Sequence, residues 1–407
     1  MRPTALEGWI CSVEGLPALT RGALEELQLS RLNELLAREK RRGGFYRHLP
    51  ERIGGLDELA GLPFTTPDEL AKSGASMLLT STAEVQRIIS GTTSGTTGLA
   101  KRVFYTRRDL EHTVGFFAAG ISELVARGDR VLVAMPFSGP NGLGELICRA
   151  IISLGAHPVP VGVGVPLGRL DEILDCEKPS AYIGMSVPLL SLLRWREANG
   201  MRMYIERALV SGDACPKGVC SAIEALLGSR LFPHYGSREM CLGGAVTCPA
   251  HEGMHIRENH IFAEIIGRDG RPLPDGMTGE LVITTLDMQA MPLIRYRTGD
   301  ITRILPGPCP CGGTTRRIDH VQRADNPMEE LDSALFCLSG LIDYMASVSD
   351  SGQLHIDAVG NVLPDELADV SGAWYGPTEV RVVAATPEFC GCYRDKRRIV
   401  RRTEGID

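Results

Sequence analysis

Thirteen residues, Ile89-Ser90-Gly91-Thr92-Thr93-Ser94-Gly95-Thr96-Thr97-Gly98-Leu99-Ala100-Lys101, constrain this chain more than any other stretch of it. Three glycines and five hydroxyl side chains beyond Ser90 stand between Val85–Ile89 and the apolar Val103-Phe104-Tyr105. Glycine tolerates positive φ, so successive N–H groups can turn into one anion-sized hollow. The hydroxyls add donors, and Lys101 closes the run with a mobile positive charge. This is the chemistry of a phosphate cradle, with Ser94, Gly95, Thr96, Thr97, Gly98 and Lys101 as candidate contacts. It is not the nucleotide-binding pattern G-x-x-x-x-G-K-[ST], because Arg102 follows the lysine and the spacing differs.

Past residue 109 the pattern alternates between strand-like and helix-like segments. Arg130–Met135, Pro158–Val163, Ala181–Met185 and Arg207–Val210 read as strands, separated by helices over Gly144–Leu154, Leu170–Cys176 and Pro188–Arg196. Helices between strands mean crossover connections and a largely parallel sheet. Ser211-Gly212-Asp213 follows the last strand, at the end where parallel sheets place ligands. An amphipathic helix is expected over residues 22–48, with Leu27, Leu29, Leu32, Leu35 and Leu36 on its apolar side. Ile261–Ile266 and Glu280–Thr285 read as antiparallel strands joined through Asp269-Gly270 and Asp275-Gly276 turns. The expected fold is therefore α/β: a large N-terminal domain of largely parallel sheets with flanking helices and a small antiparallel region, then a small, shortened α+β C-terminal domain. The hinge is expected at Gln322–Pro327, dividing the chain into residues 1–325 and 326–407.

At 407 residues the chain can bury a large core. A net charge of −7 argues against nonspecific binding of nucleic acid. No run approaches the length of a membrane span, and no signal peptide is expected. Twelve cysteines in such a chain suggest reduced thiols or metal ligands in a cytoplasmic protein. Cys248-Pro249-Ala250-His251 and Cys309-Pro310-Cys311-Gly312-Gly313 supply four soft or borderline ligands in two turn-like pairs. Cys248, His251, Cys309 and Cys311 suit a tetrahedral, structural Zn²⁺, with His255 competing for the place of His251. Cys390 and Cys392 are read as bystanders.

Ser94-Gly95-Thr96-Thr97-Gly98-Leu99-Ala100-Lys101 resembles the phosphate loop of the adenylate-forming acyl-CoA synthetases. Tyr235-Gly236-Ser237-Arg238-Glu239 and Tyr296-Arg297-Thr298-Gly299-Asp300 follow in that superfamily's order. Leu32-Asn33-Glu34-Leu35-Leu36, Gly44-Phe45-Tyr46-Arg47, Leu62-Pro63-Phe64-Thr65-Thr66 and Tyr105-Thr106-Arg107-Arg108-Asp109-Leu110 resemble its phenylacetate-CoA ligase group. The Cys/His pair and the Cys-Pro-Cys-Gly are also similar to features of that group.

The resemblance implies an AMP-forming acid–thiol ligase: a carboxylic acid and ATP give an acyl-adenylate and pyrophosphate, and coenzyme A or another thiol then takes the acyl group. Lys101 and Ser94–Gly98 would grip phosphates, Glu239 would hold Mg²⁺, and Tyr235 with Gly236 and Ser237 would face the adenine. Ser211, Gly212 and Asp213 would line the same pocket. Asp300 has two oxygens for the ribose hydroxyls, and Arg323 would contact ribose or phosphate. Phe137 and Gly139 align with the acyl-pocket wall, where Tyr235 would also contribute. The implied partners are a small carboxylic acid and a thiol, with no nucleic acid and no membrane; a homodimer is left open.

Two departures stand out. Arg323-Ala324-Asp325-Asn326 runs directly into Pro327-Met328, where the family has a glycine-containing loop that lines the thioester channel. The family's terminal Gly-Lys-x-x-Arg is here Tyr393-Arg394-Asp395-Lys396-Arg397, so Arg394 takes the lysine's place and Lys396 is the candidate catalytic lysine. The alternatives are an adenylyl transferase that stops at AMP attachment and a catalytically inactive nucleotide-binding relative.

Overall fold

The computed structural model describes residues 4–92, 100–324, 326–391 and 397–401. The chain forms two compact units. Met1–Glu123, Gly139–Ala150 and His234–Ala324 make the first; Leu124–Ser138, Ile151–Pro233 and Asp325–Asp407 make the second.

In the first unit, a helix spans Arg21–Arg42, capped by the Thr20 hydroxyl accepting from the Ala23 N–H. It stops short of the expected residue 48 because Gly43 takes a left-handed φ of 61° and its N–H turns back to Glu39 and Lys40. Its buried Leu32, Leu35 and Leu36 pack with Tyr46, Leu49, Ile53 and Ile294. Strands Val85–Thr92 and Ala100–Thr106 pair antiparallel, with Gly91 opposite Lys101. A four-stranded antiparallel sheet runs in the order Ile261–Ile266, Gly279–Thr285, Tyr296–Thr302, Gln322–Arg323. Gly270 and Gly276, at φ 79° and 90°, sit in the expected turns between its first two strands.

The second unit holds the parallel sheet. His157–Pro160, Arg130–Ala134, Ala181–Gly184 and Arg207–Val210 lie in that spatial order, with Phe232 and Pro233 beside the last. Helices Leu167–Glu177, Ser186–Ala198 and Lys217–Leu227 supply the crossovers. The strand expected over 158–163 ends at Pro160; Gly162 and Gly164 take φ values of 77° and 71°, which no strand continues.

Residues after 325 share this unit's core. Helices Met328–Leu335 and Pro364–Tyr375 accompany a sheet ordered Thr378–Val383, Leu354–Gly360, Leu341–Val348, Val400–Arg401. Leu335, Phe336, Leu341 and Tyr344 join Leu189, Leu193, Val219 and Ile223 in one apolar cluster. The buried Arg194 donates to the carbonyls of Leu341 and Phe336, and the Ser191 hydroxyl donates to that of Ile342. Ala324/Asp325, inside the expected hinge, is a junction between units, yet the segment beyond it packs as part of a larger unit.

The tail is pinned by one side chain. Arg397 donates to Asp332 at 2.9 Å and to Asp343 at 2.9 Å, its guanidinium lies over the Tyr344 ring, and its backbone N–H reaches Asp213 at 3.3 Å. Both aspartates are buried. Burial pushes the Asp332 carboxyl above its ordinary pKa even though Arg397 pulls it the other way. Removing the cation strands two buried carboxylates, so Arg397→Met should lower the free energy of urea unfolding by about 3 kcal/mol or more. Asp332→Asn in the same chain should recover part of that loss, and an unchanged urea midpoint in the single variant would show that the pin carries no stability.

Candidate active site

Within the first unit, three expected residues converge. The Lys101 ammonium lies 2.9 Å from Glu239 Oε1 and 3.1 Å from the Tyr296 hydroxyl, which donates to the same carboxylate oxygen at 3.2 Å. Lys101 comes from the hairpin, Glu239 from the short turn Arg238–Met240, and Tyr296 from the start of a sheet strand. Glu239 and Tyr296 are buried and Lys101 is partly exposed, so the cluster faces solvent through its cation. Burial alone would raise the Glu239 carboxyl, but Lys101, helped by hydrogen bonds around the turn, reverses this and the pKa is lowered. Tyr296 is pushed the other way, upward, by burial and by the charge of Glu239. Sequence reading placed Tyr296 in a motif without giving it this bridging position.

A second cluster centres on Asp300. The Tyr235 hydroxyl donates to Asp300 Oδ2 at 2.6 Å, and Arg323 Nη1 lies 3.2 Å from Oδ1. Asp300 and Arg323 are cross-strand partners, which explains their contact although 23 residues separate them. Each carboxylate oxygen has two lone-pair directions, so Asp300 can accept from several donors at once. Gly236 is a steric necessity: a Cβ there would run into the Leu242 carbonyl. The Ser237 carbonyl accepts from the N–H groups of Met240 and Leu242, closing the turn that presents Glu239.

Local packing sets these positions. Thr106 and Asp109 form a capping box at the start of helix Arg107–Ile121. Asp109 also accepts from the N–H groups of Gln289 at 2.7 Å and Ala290 at 3.1 Å. That ties the Lys101 strand to the segment leading toward Tyr296.

Ser211, Gly212 and Asp213 belong to the second unit, just past strand Arg207–Val210. The Ser211 N–H donates to Gly184, and Asp213 accepts from Ala214 and Arg397 N–H groups. Phe137 is 43% exposed in that unit; Gly139 lies in the first, with φ 80°. Ser94, Gly95, Thr96, Thr97, Gly98, Arg394 and Lys396 lie outside the described residues.

The metal-ligand set differs from expectation by one residue. Ligand atoms of Cys248, His255, Cys309 and Cys311 all lie within 4.8 Å of one another; His255, not His251, completes the group. His255 sits on strand Met254–Ile256, in register with Arg317, and its ring faces the cysteine loop: Nε2 is 3.3 Å from Cys311 Sγ. Nδ1 lies 3.2 Å from the Thr315 carbonyl, which can only accept, and 2.9 Å from the Thr315 hydroxyl; a proton on Nδ1 satisfies the carbonyl and leaves Nε2 as a donor atom for a cation. Burial lowers its pKa to about 4, so the ring is neutral. His251 instead occupies the turn after Cys248, at φ 53° with its N–H bonded to the Cys248 carbonyl. Cys248 and Cys309 sulfurs are 3.7 Å apart. Two metal–sulfur bonds of ~2.3 Å at a tetrahedral angle would separate sulfurs by ~3.8 Å.

Residues 89–289 match the family model described as AMP-binding enzyme. The chain is 31% identical over 319 residues to the phenylacetate-coenzyme A ligase of Thermus thermophilus, covering 74% of this chain and 71% of that one. It is 29% identical to the Escherichia coli K12 enzyme of the same name, covering 75% and 72%. In fold, it is similar to a crystal structure of 2-hydroxyisobutyryl-CoA ligase in the postadenylation state with 2-HIB-AMP: TM-score 0.79, 20% identity, 94% of this chain and 90% of that one.

The Lys101–Glu239 contact makes a titration prediction. In the native protein the Glu239 carboxyl should titrate below the ordinary glutamate value, and Lys101→Met should move it upward, because burial then loses its strongest opponent. A group depressed in the folded state stabilises above its unfolded pKa, and that contribution fades as pH falls through the folded value. Carboxyl ¹³C NMR of the two proteins checks the sign; equal values would remove the lysine as the cause.

Proposed function

Because the chain belongs to the phenylacetate-coenzyme A ligase family of AMP-binding enzymes, we propose that it activates a small carboxylic acid with ATP, releasing pyrophosphate, and transfers the acyl group to coenzyme A. The observation that carries this reading is the pair of clusters in one unit, Lys101–Glu239–Tyr296 and Tyr235–Asp300–Arg323. Both reactants are anions, so the site must hold them in line and neutralise charge. With Mg²⁺ and ATP bound, Lys101 would face a phosphate and Glu239 would hold the metal, whose charge would help neutralise the phosphates. Each charge keeps a counter-charge throughout, which avoids the cost of a lone buried carboxylate.

Asp300 takes the ribose hydroxyls with Arg323 beside it, and the Tyr235 ring lies against adenine. Ser94–Gly98 hold the phosphates, and Ser211, Gly212 and Asp213 line the pocket. Phe137 and Gly139 form the acyl wall. Lys396 supplies the compact ammonium for the α-phosphate, with Arg394 in a static role. Residues 1–325 bind nucleotide and acid, and 326–407 act as the shortened C-terminal domain. The enzyme works in the cytoplasm, and a homodimer is open to solution scattering. Among the described residues no helix is long and apolar enough to cross a membrane.

A pyrophosphate-release screen over carboxylic acids, with and without coenzyme A, tests the reaction. Asp300→Ala should abolish release and weaken ATP binding by roughly 3 kcal/mol, since two charge-assisted hydrogen bonds are lost. Unchanged ATP affinity by calorimetry would end the ribose role. Helix Met328–Leu335 begins five residues after Arg323, too soon for the family's thioester-channel loop, and this favours a second reading, an adenylyl transferase. Pyrophosphate release with no thioester under any condition would select it.

The Cys248, His255, Cys309 and Cys311 group fits a structural Zn²⁺: four S and N donors leave no open position for catalysis. Elemental analysis should find about one zinc per chain, and Cys309→Ser should lose it and melt earlier, because metal binding is folding free energy. Metal-free protein of undiminished stability would refute the site.

A further inference from the structure

Arg238 occupies one of the two unspecified places in Tyr-Gly-x-x-Glu, so neither the motif nor the roles assigned above account for it. Its guanidinium lies directly on the backbone of Gly91. A Cβ built at residue 91 would fall inside the guanidinium, 2.6 Å from Cζ. Glycine in a strand gives up side-chain packing, and here its bare Cα makes room for that head group.

Two further observations fix the arginine. Its carbonyl accepts a 2.6 Å hydrogen bond from the hydroxyl of Tyr105, which is fully buried. The next residue, Glu239, is held by Lys101, and Lys101 is the cross-strand partner of Gly91. Arg238 and Lys101 are thus held at the same rung of the hairpin, whose described strands end at Thr92 and resume at Ala100. Lys101 has an acid of its own in Glu239. Arg238 is exposed and, among the described residues, forms no ion pair. A planar fork of donors held at a fixed place without an acid is a receptor for an oxyanion, and Arg suits phosphate oxygens in two-point contact.

We propose that Arg238 binds the β- and γ-phosphates of ATP and holds the pyrophosphate as it leaves, with Gly91 as the platform that positions it. This rests on the AMP-forming reading above. It adds a second cation, specific to the end of the nucleotide that departs. AMP lacks that end, so Arg238 discriminates between ATP and AMP, whereas Asp300 serves both.

Calorimetry on the full chain with ATP, AMP and inorganic pyrophosphate as probes reads this directly. Arg238→Met should weaken ATP and pyrophosphate by about tenfold or more while AMP stays within about twofold. Gly91→Ala should reproduce that pattern by displacing the head group, and should add nothing further in the Arg238→Met background. Circular dichroism melting confirms that each variant is folded; if Gly91→Ala is not, Arg238→Lys replaces it and should recover part of the ATP affinity. Equal ATP affinity in Arg238→Met and the parent, or parallel loss of ATP and AMP, overturns the assignment. A parent that binds no ATP overturns it together with the enzymatic reading. A parent that binds ATP through Arg238 but releases no pyrophosphate with any acid overturns only the enzymatic reading.

Discussion

The first unit depends on a buried ion pair one residue before its sheet strand. Arg295 is buried at a left-handed φ of 47°, a conformation that costs free energy in any residue but glycine. It is held there by two 3.0 Å contacts to Glu264, by bonds to the carbonyls of Ala60 and Leu62, and by the Phe64 ring at 4.2 Å. Backbone bonds on either side then fix Tyr296: Thr65 N–H to the Arg295 carbonyl and Arg297 N–H to the Thr65 carbonyl. Thr65 is in turn gripped by the Tyr46 hydroxyl at 2.8 Å and donates to Ile294. The N-terminal segments thus serve to aim Tyr296, and through it Lys101 and Glu239.

That arrangement keeps the charges of the site in balance before any ligand arrives. A lone carboxylate at the burial of Glu239 would favour its protonated form. The ammonium and the phenol hold it ionised. Tyr296 shares the load without carrying charge, since burial and Glu239 together oppose its ionisation.

Much of this was legible in the sequence because it is local. Strand Arg207–Val210 and helices Leu167–Glu177 and Ser186–Ala198 follow from periodicity, whereas Lys217–Leu227 was not read as a helix; the motif residues Lys101, Glu239, Tyr235 and Asp300 follow from their immediate neighbours. What escaped is long-range. His251 and His255 have the same chemistry and lie four residues apart; only the pairing of strand Met254–Ile256 with Arg317–Ile318 turns the second toward Cys311. Arg397 read only as the end of Tyr393-Arg394-Asp395-Lys396-Arg397, because the two aspartates that bury it are 65 and 54 residues away. Gly91 read as one of three glycines in a phosphate cradle, since nothing near it in sequence reveals the Arg238 side chain that needs its space.

The interleaving of the two units has a consequence for how the chain comes to be folded. It passes between them at 123/124, 138/139, 150/151, 233/234 and 324/325. Neither unit is a continuous stretch, so neither can be excised as a fragment or completed early on the ribosome. The Tyr235–Asp300–Arg323 cluster needs residue 323, and the Asp213 contact needs residue 397. Contacts of such sequence separation close late and slowly. A nascent chain therefore carries the parallel strands of the second unit through most of synthesis with part of their apolar cover still unmade, and production of this protein should be more sensitive to chaperone supply and growth temperature than its finished stability would suggest.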